Sequence, residues 1–154
     1  MKKTVWTIVA VSVCILLMAG CKGKDERDGG HGPAAQSNPE AEKAAVECTE
    51  QWLAVLDQGD YQQAWEQTAE IFKEIVPIDQ WRNQMKVFRG RLGKVVSRNL
   101  KSRQYTTVAP GVPEGQYVII QYETAFENKA NATETITPIL TDDGSWKVSQ
   151  YVIQ

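Results

Sequence analysis

Apolar positions are spaced in three different ways along these 154 residues. From Val5 to Ala19 they are almost continuous (VWTIVAVSVCILLMA). From Lys22 to Pro39 no large apolar residue occurs. From Glu40 onward they recur periodically. In AEKAAVECTEQWLAVLD, Val46, Trp52, Leu53 and Leu56 share one face of a first predicted helix, which Gly59 ends. Asp60 caps a second, along which Tyr61, Ala64, Trp65, Thr68, Ala69 and Phe72 follow at steps of three and four. Pro77 breaks that pattern. A third helix begins at Asp79, with Ile78, Trp81, Met85, Phe88 and Leu92 on one side and Gly93 as its stop.

Beyond Gly93 the period changes. KVVSRNLKSRQYTTV reads as a strand and APGVPEG (109–115) as a turn. QYVIIQYETAFE alternates, setting Val118, Ile120, Tyr122 and Phe126 against Gln121, Glu123 and Glu127. NKAN is a connection and ATETITPILT a third strand, in which Pro138 requires an edge position or a bulge. Asp142-Asp143-Gly144 makes a hairpin turn. In the last strand, SWKVSQYVIQ, Trp146, Val148 and Val152 lie opposite Tyr151 and Ile153. The expected fold class is α+β: three N-terminal helices packed on a curved four-stranded antiparallel sheet. Such a cone resembles the NTF2-like (cystatin-like) folds.

The first run is about 15 residues long, short of the ~20 that a spanning helix needs. Behind Lys2 and Lys3, and ending in small residues, it reads as a signal peptide over 1–20. Leu17-Met18-Ala19-Gly20-Cys21 resembles a bacterial lipobox, which implies acylation of the Cys21 thiol and cleavage before it. The partner implied is a membrane, held by several acyl chains at ~0.8 kcal/mol per buried methylene. Lys22, where aspartate would favour the inner membrane, points to the periplasmic face of the outer membrane. Residues 21–39 are too polar to bury a core and form a flexible tether of ~25 Å mean span. His31, the only histidine, lies there with no ligand partners. Residues 40–154 form one globular domain. Within it Cys48 is alone, so no internal disulfide is available.

Trp52-Leu53, Asp57, Gly59-Asp60-Tyr61, Trp65, Phe72, Trp81 and Arg89-Gly90-Arg91-Leu92-Gly93 form a recognisable spacing, continued by Ser97-Arg98, Pro113-Glu114-Gly115 and Gly144-Ser145-Trp146. Over roughly residues 45–153 it is similar to the domain-of-unknown-function family 4019. That resemblance implies an exported α+β domain, without an established activity or cofactor.

Charge is unevenly placed. Residues 40–79 hold ten acidic residues and two lysines, whereas 80–113 hold eight basic residues and no acid. The slightly negative total of −2 argues against nucleic acid as a partner. Arg89, Arg91, Lys94 and Arg98 are candidates for a patch that meets an anionic partner. Alternatively, these side chains are solvated or pair with the acidic helices of the same domain, at ~0–1 kcal/mol per surface pair. GRLGK (90–94) lacks the spacing of a phosphate loop. A cone can also hold a small apolar ligand, and Trp65, Trp81, Tyr122 and Tyr151 are the candidate cavity lining. No catalytic motif, metal cluster or cofactor signature is read. The expected role is binding, of a protein partner or a small apolar ligand, by an envelope lipoprotein that is not an enzyme. The alternative is an NTF2-like enzyme of isomerase or dehydratase type, which would need an acid or base in a cavity.

Overall fold

The computed structural model describes residues 37–109, 111 and 113–154. The expected signal peptide over 1–20, Cys21, His31 and the expected tether as far as residue 36 lie outside the described residues. The elements are α1 (Pro39–Asp57), α2 (Tyr61–Glu66), α3 (Glu70–Ile75), α4 (Ile78–Leu92), β1 (Val95–Thr106), β2 (Tyr117–Phe126), β3 (Lys129–Leu140) and β4 (Trp146–Ile153). The four strands form one open antiparallel sheet in the order β1-β2-β3-β4, so the α+β expectation holds.

Local chemistry sets the helix starts. The Asn38 side chain accepts from the Ala41 N–H, and Pro39 occupies the first turn, where its missing N–H costs nothing. Asp60 does the same for α2 through the Gln63 N–H. Along α1, Ala45, Val46, Thr49, Trp52, Leu53 and Leu56 are buried at steps of three and four. They meet Val118 and Ile120 of β2, Ile136 of β3 and Val148 of β4 in the core.

The helix expected to run from Tyr61 through Phe72 is two helices, giving four in place of three. Thr68 turns its hydroxyl back on the Trp65 carbonyl (2.7 Å), and extended Ala69 donates its N–H to Val148 of β4 (2.9 Å). A backbone donor given to the sheet cannot serve the helical ladder, so the helix stops there. Indoles take carbonyls at the helix ends: Trp52 Nε1 donates to Ala64 O near the end of α2 (2.7 Å), and Trp65 Nε1 to Val76 O just past α3 (2.8 Å).

Two further expectations change at the sheet. The β2–β3 connection is only Glu127–Asn128, so β3 starts at Lys129. In β4, Val148 and Tyr151 both face the core while Val152 is 49% exposed. The cause is a bulge: Thr137 pairs with Gln150 and Pro138 with Val148, leaving Ser149 between them. One extra residue reverses which face the following side chains take. Ser149 is fastened by its hydroxyl to Thr137 O (2.6 Å). Pro138 sits at this bulge in an interior strand, not at an edge.

Candidate functional site

The inward stripe of α4 is Trp81, Met85 and Arg89, whereas Phe88, expected on that face, is 54% exposed. A buried arginine demands partners, and Arg89 finds them on α1 and β3. Its Nη2 bonds Asp57 Oδ1, and its Nη1 lies 3.4 Å from both Glu134 Oε1 and the Tyr151 hydroxyl. Its guanidinium also covers the Phe126 ring at 5.1 Å. Arg98 of β1 grips both acids with its planar fork. Nε and Nη2 reach the two oxygens of Glu134 at 2.6 and 3.2 Å, while Nη1 and Nη2 reach those of Asp57 at 2.6 and 3.1 Å.

Two arginines and two carboxylates therefore cancel. Glu134, wholly buried, also accepts from Tyr151 (2.6 Å) and Thr124 (2.6 Å). Burial opposes the Arg98 charge, but the bonds to Asp57 and Glu134 outweigh it and raise its pKa. Burial raises the Tyr151 phenol well above its ordinary value, and the Glu134 charge adds to this. Chemically this is a closed lock. It orients six side chains, and both carboxylate oxygens of Glu134 are already engaged.

Tyr151 joins the lock to a groove on its other side. Its ring, with Phe72, Trp81, Met85, Phe88, Leu92 and Val152, walls an apolar space of about 500 Å³ between α4 and the end of β4, with Arg91 and Lys129 at its rim. A second cleft, of about 600 Å³ near Asp60 and Arg82, is lined mainly by polar side chains.

The structure thus divides the residues singled out from the sequence. Arg89 and Arg98 turn inward and pair with Asp57 and Glu134, so they do not join Arg91 and Lys94 in an exposed patch; both of the latter stay exposed. Trp81 and Tyr151 line the groove. Tyr122 lines a separate cleft of about 240 Å³ with Glu50, Asp57 and Arg98. Trp65 lines neither; its indole is bonded to Val76, with Lys73 over the ring at 5.6 Å. Cys48 donates to Trp146 O (3.0 Å), and burial pushes its thiol up to about 11, far from a reactive thiolate. Sequence reasoning missed Asp57 and Glu134. For Glu134 a signal existed: it alternates in phase with buried Ala132 and Ile136, an acid on a core face.

Residues 48–151 match the family model described as protein of unknown function, DUF4019. The chain belongs to the DUF4019 family. The matched span takes in Asp57, Arg89, Arg98 and Glu134 and ends on Tyr151, so the lock and most of the groove wall fall within the DUF4019 domain. No curated protein matches the chain.

Proposed function

We propose that this DUF4019 protein is a lipid-anchored component of the bacterial envelope, whose domain is a binding module that takes a small apolar ligand in the groove between α4 and β4. The observation that carries the reading is the groove itself. About 500 Å³ of apolar space falls within the ~300–1,000 Å³ usual for small-molecule sites. Phe88 and Val152 hold it open to solvent at 54% and 49% exposure. The rival, an isomerase- or dehydratase-type enzyme, would draw its acid or base from Glu134 and Tyr151. It is less favoured because Glu134 spends both oxygens on internal donors.

A neutral fluorescent probe such as N-phenylnaphthylamine tests the groove. The probe should brighten with the wild-type chain and not with Phe88→Asp/Val152→Asp, whose sites are exposed enough for the fold to survive. Equal brightening by both proteins would remove the groove as the site. The anchor rests on Leu17–Cys21 and is tested apart, by the mass of the N-terminal peptide from the native host. A free thiol at Cys21 would reject it, and fractionation of the envelope would locate the protein.

A further inference from the structure

We infer that the groove takes a single-chain amphiphile with an anionic head, the chain lying along α4 and the head between Arg91 and Lys129. This rests on the groove reading and adds the ligand's class. Along α4 the lining runs from Trp81 to Leu92, about 16 Å at ~1.5 Å per residue, so the space is a slot rather than a bowl. Its charged lining residues are Arg91 and Lys129, and no acid lines it.

Both cations are brought to one end by the same contact. Asn128, in the β2–β3 turn, donates its side-chain amide to Arg91 O (3.1 Å) and its N–H to Leu92 O (2.9 Å). That places Lys129, the next residue, beside the last turn of α4. The Gly93 N–H caps Arg89 O (3.0 Å) as well, so the helix end has donors without calling on either cation. Nearby Arg89 and Arg98 are neutralised by Asp57 and Glu134, whereas neither Arg91 nor Lys129 pairs with a carboxylate among the described residues. An apolar slot with an unbalanced cationic mouth complements a carboxylate or phosphate on an alkyl chain. The exposed faces of Phe88 and Val152 would be covered by that chain.

Decanoate, decanol and decyltrimethylammonium distinguish the possibilities by displacement of the neutral probe from the full-length chain. Decanoate should bind about five-fold more tightly than decanol, as two exposed ion pairs allow, and the cation most weakly. Arg91→Ser/Lys129→Ser should bring decanoate to the affinity of decanol, while decanol itself and the urea midpoint stay unchanged. Equal affinities in the wild-type chain would overturn the anionic head and leave the groove reading standing. Failure of the probe itself to bind would remove both. If the double variant lost sedimentation with anionic phospholipid vesicles yet kept its preference for decanoate, the two cations would serve a membrane surface, and the inference would fall.

Discussion

The Tyr151 hydroxyl donates to Glu134 Oε1 at 2.6 Å, while the edge of its ring meets Trp52 with centroids 5.2 Å apart. One side chain thus ties the charge lock to the aromatic core and the groove wall. Tyr151→Phe keeps the ring and deletes the bond to a buried carboxylate. It should cost about 1.5–3 kcal/mol in urea unfolding, the range for bonds to charged groups. Affinity for the neutral probe should not change. Loss of probe affinity with unchanged stability would mean that the hydroxyl serves a ligand instead of Glu134.

The lock itself is balanced, so removing an acid and a base together should cost less than the two separate losses added. Glu134→Gln leaves Arg89 and Arg98 facing Asp57 alone and is expected to cost about 3–5 kcal/mol. Adding Arg89→Met restores one cation to one anion, Arg98 with Asp57. The double variant should be less destabilised than the sum of the singles, with a coupling of about 1–3 kcal/mol. Additive losses in the cycle would show that the two side chains do not interact.

Gly93 carries φ +77° and ψ −164°, a region close to glycine's own. A Cβ there would meet Glu127 Oε2 at 2.8 Å and Glu127 Cβ at 2.9 Å, displacing the carboxylate that accepts from the Lys94 N–H. Gly59 also has positive φ (+80°), but its Cβ would meet open space. Gly93→Ala should therefore cost more than Gly59→Ala. About 1–3 kcal/mol of backbone strain is expected at either site, with the clash added only at 93. Thermal denaturation of the two variants compares them directly.

Tyr122 is 3% exposed, and its hydroxyl has no hydrogen-bond partner among the described residues. Tyr122→Phe should stabilise the domain by about 1 kcal/mol, because a buried unpaired hydroxyl is removed without loss of the ring. The same residue predicts a pH effect. Burial, then the nearby Glu50, raises its pKa from 10.0 to about 12. The unfolded chain thus loses this proton first. The contribution is fully present below pH 10, and stability falls as pH rises from there towards 12. Urea midpoints from about pH 9 to about pH 11 should decline in the wild type and decline less in Tyr122→Phe.

The lock shows why some of the site escaped a linear reading. Arg89 and Arg98 stood out as part of a basic run, but their charge is balanced by Asp57, 32 and 41 positions away, and by Glu134, 45 and 36 away. Side chains that distant are brought together only once α1, α4 and the sheet have packed. The groove likewise needs Val152 on the solvent side of β4, whereas strict alternation puts it on the same face as Val148, which is buried.

Taken alone, the sequence determined the features that depend on neighbours a few residues apart. These are the cap at Asp60, the stop at Gly93, the helical stripe of α1, the alternation of β2 and the turn at Asp142–Gly144. Tertiary structure alone decided the break at Ala69, the placing of the Pro138 irregularity as a bulge at Ser149 rather than an edge, and the inward turn of Arg89. In each case a polar group meets a partner from another element. The energy of that meeting overrides a local preference worth ~1 kcal/mol or less per residue.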